Sequence, residues 1–153
     1  RSGVELSAFW NLSPAWTLDL LATFVDSEFT GVPSGEDSIP NAHGRVVGLG
    51  LTYAQPEGFV ASLRMRHFGD AELVEDGSVD HGDTTVFNLA ASYDFGAVEV
   101  GIEALNLFDS EDDDIAYFFE SRLASEAQGV PDVHFHPVIP RSYRLSIRYE
   151  FGG

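Results

Sequence analysis

The chain has 153 residues but contains no cysteine and no lysine, and all eight of its basic residues are arginines. Without cysteine there is neither a disulfide framework nor a thiolate metal site. The 25 acidic residues bring the formal net charge to -17, which argues against a nucleic acid partner because its phosphates would be repelled. The same charge is compatible with cations or cationic ligands.

Long hydrophobic runs are also lacking. No apolar segment approaches the ~20 residues that a membrane-spanning helix needs, and no segment keeps a helical period. The hydrophobic fraction of 44% nevertheless excludes wholesale disorder. Averaged hydropathy would suggest a soluble protein, but it also misses membrane barrels, because their strands alternate and the average cancels. No signal peptide precedes the first strand-like residues, as expected if the chain were part of a longer protein.

The segment 142–151 alternates apolar and polar side chains. One set is Tyr143, Leu145, Ile147, Tyr149 and Phe151, and the other is Ser142, Arg144, Ser146, Arg148 and Glu150. Successive side chains of a strand point to opposite faces, so this strand would separate an apolar medium from a polar one. The pattern, with an aromatic residue at its end, predicts a strand of an outer-membrane β-barrel.

Six more segments show the same alternation, which predicts strands at 4–12, 16–25, 46–53, 59–66, 86–95 and 98–104. All ten charged residues of the seven segments fall on the polar side: Glu5, Asp19, Arg64, Arg66, Asp94, Glu99, Glu103, Arg144, Arg148 and Glu150. That side is mixed, since it also carries Phe9, Leu21 and Val25. Gly48 and Gly50 on the polar side of the third strand predict a bend or a close neighbour there.

The connections alternate between short and long. The short ones are 13–15, 55–58 and 96–97, and the long ones are 27–44, 68–83 and 108–140. Short turns at one rim and long loops at the other are typical of membrane barrels. Eight aromatic residues on the apolar sides lie beside a short turn or the chain end: Trp10, Trp16, Tyr53, Phe59, Tyr93, Phe95, Tyr149 and Phe151. We expect them to form a girdle at one membrane interface; the alternative is that they cap a soluble core.

Charge also predicts how the last two strands pair. Placing Glu103 opposite Arg144 puts Glu99 opposite Arg148 in the same register. Such pairs contribute roughly 0.2–1 kcal/mol each, and a slip of one residue would push charge into lipid. A hairpin at Gly96–Ala97 would set two like charges, Asp94 and Glu99, opposite each other.

The predicted fold class is all-β, an antiparallel up-and-down meander of about seven strands that forms part of a transmembrane β-barrel. Seven strands cannot close a bacterial barrel, whose strand number is even. The stretch 108–140 could hide a hairpin, but it does not alternate cleanly. We therefore expect residues 1–153 to be the C-terminal part of a larger barrel.

Several short motifs resemble the C-terminal barrel region of TonB-dependent outer-membrane receptors. The start at Gly3-Val4-Glu5-Leu6 is similar to a barrel strand of that family, and Asn106-Leu107-Phe108-Asp109 resembles the motif that ends its penultimate strand. The stretches 121–123, 134–137 and 140–141 resemble its last extracellular loop. Tyr149 and Phe151 resemble the C-terminal signal that is read by the barrel-assembly machinery. Asp112 stands where the family has an aromatic residue, and Gly152–Gly153 resembles an added tail.

The resemblance implies a barrel of 22 strands in the cell outer membrane, in contact with lipid and with an N-terminal plug outside this sequence. It implies uptake of a scarce nutrient, such as a ferric siderophore, driven by TonB through the plug. It implies no enzymatic activity and no resident cofactor. The nutrient ligand cannot be named from these residues.

Two groups of residues invite a metal hypothesis. The acidic cluster at 109–114 and the acidic residues of 72–83 offer oxygen ligands for Ca²⁺, but neither has the pattern of an EF-hand loop. His134 and His136 would share one face of an extended chain, although two ligands do not complete a site. Solvated acidic loops and hydrogen-bonded histidines are the favoured interpretations. No catalytic motif is present in the sequence.

Two other functions stay open. The chain could be a small self-contained outer-membrane barrel with a structural or adhesive role, its eighth strand drawn from the long loop. It could also be a soluble lipocalin-like binder, in which the apolar residues would point inward. The orientation of Leu18, Leu49, Ile102 and Ile147 separates this last alternative from the membrane interpretations.

Overall fold

The alternating segments fold into one antiparallel sheet in the computed structural model, which describes residues 1–151. The Gly152–Gly153 tail proposed from the sequence lies outside the described residues. The strands are β1 Ser2–Asn11, β2 Trp16–Asp26, β3 Arg45–Ala54, β4 Phe59–Phe68, β5 Ala71–Glu72, β6 Asp80–His81, β7 Thr84–Asp94, β8 Val98–Leu105, β9 Asp113–Ser121, β10 Val130–Pro137 and β11 Ser142–Tyr149.

The main sheet has seven strands in the order β1-β2-β3-β4-β7-β8-β11, and every neighbouring pair is antiparallel. This is the predicted up-and-down meander, with β1 and β11 at its two edges. Every end of the seven main strands lies within two residues of the predicted one, inside the usual uncertainty of element boundaries. The last strand, for example, ends at Tyr149 rather than at the predicted Phe151.

Two of the three long connections each contain a hairpin that the alternation did not predict. β5 pairs with β6 inside 69–83, and β9 pairs with β10 inside 106–141. Both are two-stranded sheets separate from the main one. Because β9 and β10 pair with each other, neither supplies an eighth strand to the main sheet.

The short turns match the predicted positions. Gly96 and Ala97 close a two-residue hairpin in which the Phe95 amide donates to the Val98 carbonyl at 2.7 Å. Gly96 has a φ of 95°, a left-handed conformation that glycine adopts without steric cost. At the turn before β4, Gly58 has a φ of 93° and its amide donates to the Gln55 carbonyl at 3.2 Å.

The register between β8 and β11 is the one predicted from charge. Arg144 lies opposite Glu103 and Arg148 opposite Glu99, while Ile147 meets Val100 on the other face. The two like charges, Asp94 and Glu99, are also opposite each other.

The described chain has no large hydrophobic core. Its buried apolar residues are few and mostly small: Ala22, Ala71, Leu73, Val86, Ala104 and Ala116. No helix within residues 1–151 is long and apolar enough to cross a membrane. The fold is therefore held mainly by strand pairing, and most large apolar side chains remain on the surface.

Candidate functional site

One face of the main sheet is apolar and exposed. Ile102 is 53% exposed, Ile147 69% and Leu49 38%; Leu18 is half-buried. A contiguous apolar surface of this kind marks contact with another molecule or a membrane. In the described chain these residues line no closed interior, which argues against the lipocalin-like alternative.

The opposite face of the sheet is polar. Two open clefts of about 280 and 350 Å³ lie along it, lined mainly by polar-face residues such as Ser62, Glu103 and Arg148 in one and Asp19 and Arg64 in the other. Charged residues predicted for the polar side therefore line the clefts on this face.

A cross-strand ion pair crosses the middle of the polar face. Arg64 on β4 donates to the Asp19 carboxylate on β2 at 3.1 Å, although β3 runs between them. The residue of β3 in register with both is Gly50. A Cβ atom at this position would collide with the Asp19 carboxylate, so glycine is what allows the two side chains to meet. This is the close neighbour that the glycine pattern predicted.

The charge pairs of β8 and β11 form a second line on the polar face. The guanidinium of Arg148 donates to the Glu99 carboxylate at 3.1 Å and that of Arg144 to Glu103 at 3.5 Å. All four side chains are substantially exposed, which limits the stabilisation from each pair to at most about 1 kcal/mol. Their main consequence is to specify the register.

The eight aromatic residues predicted as a girdle lie at the short-turn end of the sheet or at the end of β11. Neighbouring rings are in contact, with centroids 4.7 Å apart for Trp16 and Tyr53, 4.5 Å for Tyr93 and Phe95 and 4.7 Å for Tyr149 and Phe151. Trp10 and Phe95 are largely exposed. The rings therefore form a belt along one end of the apolar face.

Polar side chains replace the apolar ones at the other end of the same face. Arg45 Nε donates to His67 Nε2 at 3.1 Å, and His67 Nδ1 lies 2.8 Å from the Thr85 hydroxyl. Arg45 is the donor in the first of these contacts, since an arginine side chain can only donate. Polar side chains thus bound the apolar face at its long-loop end.

Asn106 ties the end of β8 to the long connection that follows. It is 2% exposed and has a φ of 49°. Its amide nitrogen Nδ2 donates to the carbonyls of Ser110 and Ile139 at 2.9 and 3.1 Å, and its Oδ1 accepts from the Ser110 amide at 2.8 Å. Its backbone amide donates to Asn88 on β7 at 2.9 Å. Spacing alone did not reveal this role; the motif resemblance was the only signal.

No protein-family model matches the chain, and no curated protein matches it in sequence. Solved structures match it in fold. The ferric yersiniabactin uptake receptor FyuA from Yersinia pestis superposes with a TM-score of 0.73 at 19% identity and covers 98% of this chain. The siderophore receptor PiuA from Acinetobacter baumannii gives 0.72 at 16% over 96%, and the ferric-catecholate import receptor Fiu from K12 E. coli gives 0.70 at 20% over 97%.

The chain has the fold of part of a siderophore receptor. It spans about a fifth of the length of these structures, 23% of FyuA, 21% of PiuA and 20% of Fiu. At these identities the likeness establishes the fold, an antiparallel sheet from an outer-membrane β-barrel. It supports the resemblance to TonB-dependent receptors that the motifs suggested.

In this receptor fold the acidic cluster after β8 has structural partners. The Asp109 carboxylate accepts from the Arg141 amide at 3.0 Å and lies 3.3 Å from the Arg141 guanidinium. Asp112 accepts from the Thr85 amide at 3.1 Å and from the Ser110 hydroxyl at 2.5 Å. These two carboxylates therefore anchor the third long loop to the start of β7 and to the residue before β11.

Among residues 1–151, neither metal hypothesis gains a complete set of ligands. His134 and His136 pair with Tyr117 and Ile115 of the neighbouring strand, so they share a face as predicted. The His134 ring stacks on Phe119 with centroids 3.9 Å apart. Within residues 1–151, no three His, Asp or Glu side chains come close enough together to hold a metal ion.

Proposed function

We propose that residues 1–153 are the C-terminal part of the barrel of a TonB-dependent receptor in the outer membrane, which imports a scarce nutrient such as a ferric siderophore. The observation that carries the proposal is the exposed apolar face on a sheet with the receptor fold. Such a surface needs an apolar medium, and in this fold that medium is lipid.

The dimensions of the apolar face support this placement. On β2 the apolar positions run from Trp16 to Phe24, nine residues, and a tilted membrane strand needs about 9–11. The aromatic belt then lies at one membrane interface, where Trp and Tyr are favoured because their rings are amphipathic. The polar group at Arg45, His67 and Thr85 marks the opposite interface.

The polar face would line the lumen, with the ion pairs of Glu99, Glu103, Arg144 and Arg148 inside the barrel. The edge strands β1 and β11 have unpaired backbone groups, which lipid cannot satisfy. We infer that the remaining strands of a 22-stranded barrel pair with these edges. The plug would occupy the lumen and contact TonB.

Two further partners belong to the proposal. Tyr149 and Phe151 would form the signal read by the barrel-assembly machinery. The transported nutrient would bind at the long-loop end. The superposed structures are receptors for siderophores or ferric complexes, which makes iron the first nutrient to test.

The test is uptake of radiolabelled iron under iron limitation, in cells that carry or lack the gene encoding this chain. We expect uptake of at least one ferric siderophore to require both the gene and an energised inner membrane, so a protonophore should abolish it. Unchanged uptake of every supplied siderophore on deleting the gene would reject iron import. Recovery of the protein outside the outer-membrane fraction would reject the receptor assignment itself.

A further inference from the structure

The long-loop end holds an open cleft of about 730 Å³. Three connections contribute to its walls. Phe29, Val32 and Glu36 come from the loop after β2, a stretch around Glu75 comes from the loop after β4, and Phe118 comes from β9. Apolar and acidic side chains therefore line the same space.

Backbone hydrogen bonds hold the first two walls together. The Ser38 amide donates to the Glu75 carbonyl at 3.1 Å, and the Asn41 amide donates to the Glu72 carbonyl at 2.8 Å. Ala71 and Leu73, which flank Glu72 in sequence, are buried. The cleft is thus formed by loops that are bonded to each other.

All charged side chains that line the described cleft are acidic. Its ionisable lining residues are Glu36, Glu75 and Asp76, with no basic side chain among them. The wider rim has the same sign, since the connections 27–44, 69–83 and 106–141 hold 17 of the 25 acidic residues and only two of the eight arginines. One of those two, Arg141, is paired with Asp109.

One carboxylate of the cleft, that of Asp76, accepts hydrogen bonds that favour its ionised form. Hydrogen bonds from Ser78, first from its side chain and then from its backbone amide, lower the pKa of Asp76 below its usual value. A lowered pKa keeps the negative charge present to a more acidic pH.

We propose that this cleft binds an organic cation whose positive charge adjoins an aromatic or aliphatic group, rather than an anionic chelate. The inference rests on the proposed function and adds to it the sign of the charge on the ligand. Exposed phenyl rings attract cations through their faces, and Phe29, 43% exposed, and Phe118 line the cleft from different connections. The carboxylates supply the charge complementarity for a cation, and the same carboxylates would repel an anion.

The test compares two probes of similar size and opposite charge, phenyltrimethylammonium and benzenesulfonate, with the full-length receptor in lipid nanodiscs. Saturation-transfer NMR would measure their binding. We expect the cation to bind, more weakly at high salt, and the anion not to bind. The variants Glu36→Gln and Glu75→Gln should each weaken cation binding by about fivefold, the size expected for one exposed ion pair. Phe118→Ala should weaken it as well.

Glu57→Gln is the matched control, because Glu57 lies in the short turn before β4 at the opposite end of the sheet; it should leave cation binding unchanged. Equal binding of both probes, binding of neither, or cation binding insensitive to the three cleft variants would overturn the inference. If the receptor still imported iron in the uptake experiment, the proposed function would stand, and only the inferred charge of its ligand would be wrong.

Discussion

Gly50 determines whether the central ion pair of the polar face can form. It lies in register between Asp19 and Arg64, which meet across it. Gly48, two residues earlier on the same face, is different, since a Cβ there would meet only the Leu21 Cβ at 3.9 Å. Two glycines of one strand therefore have separate structural roles, one permitting a contact and the other leaving space.

Gly50→Ala should lower the free energy of unfolding by up to about 1 kcal/mol, because the added methyl group would displace the Asp19 carboxylate and break an exposed ion pair. Gly48→Ala should change it by less than about 0.5 kcal/mol, because the added methyl group finds ordinary contact distance. Urea unfolding of the receptor in lipid vesicles would measure both. Equal effects of the two substitutions would contradict the role given to Gly50.

Asn106 is the most connected side chain of the third long loop. Asn106→Ala would leave the Ser110 amide and two carbonyls without their partner, at a cost of about 2–3 kcal/mol. It should also speed proteolytic cleavage between β10 and β11. Limited proteolysis of the folded receptor would detect this change.

Asn41→Ala is the control for the Asn106 substitution. Asn41 also has a positive φ, 60°, but its side chain makes no hydrogen bond in the part of the chain that the structure describes. It should therefore show only the backbone cost of a left-handed alanine. If both variants were cleaved at the same rate, the hydrogen bonds of Asn106 would not be what orders the loop.

The alternation of side chains predicted the elements of the main sheet better than those of the loops. Its seven strands have one apolar and one polar face, so a period of two marks each of them. The β9 segment Ile115-Ala116-Tyr117-Phe118-Phe119 is apolar on both faces and shows no period. β5 and β6 have two residues each, which is too short for any period. Their pairing depends on contacts between loops, which local sequence does not encode.

The β8–β11 register was predictable because two opposite-charge pairs and two apolar pairs agree on it. A double-mutant cycle on Glu103→Gln and Arg144→Gln should give a coupling of roughly 0.2–1 kcal/mol in urea unfolding. The same cycle on Glu103 and Arg66, which are neither in register nor on neighbouring strands, should give none within error. If the coupling energy of Glu103 and Arg144 were no larger than that of Glu103 and Arg66, the ion pair would not be what determines the register.

On the scale of the whole molecule, charge and apolar surface are separated in two directions. Across the sheet, one face is apolar and the other carries the ion pairs. Along the strands, aromatic rings lie at the short-turn end, and most of the acidic residues are in the long loops. The sequence predicted this arrangement because alternation and loop length are both local features. The walls of the loop cleft were not predictable, since they come from three separate connections.

Leu20 and Leu21 test the two faces with one residue type. They are adjacent on β2, Leu20 in the middle of the apolar positions and Leu21 on the polar side. Leu20→Arg should lower stability by about 2–4 kcal/mol, the cost of arginine near the bilayer midplane. Leu21→Arg should cost much less, because its side chain would reach the polar face. Urea unfolding in vesicles would compare them, and a smaller effect at Leu20 would reverse the assignment of faces.

The most direct test of lipid contact is a nitroxide scan along residues 18–24 of the receptor in lipid bilayers, with one spin label per variant. Accessibility to oxygen, which concentrates in lipid, would be measured at each position. The account predicts maxima at Leu18, Leu20, Ala22 and Phe24 and minima at Asp19, Leu21 and Thr23. Maxima at the second set, or accessibility without a period of two, would contradict the claim that this face of the sheet lies against the membrane.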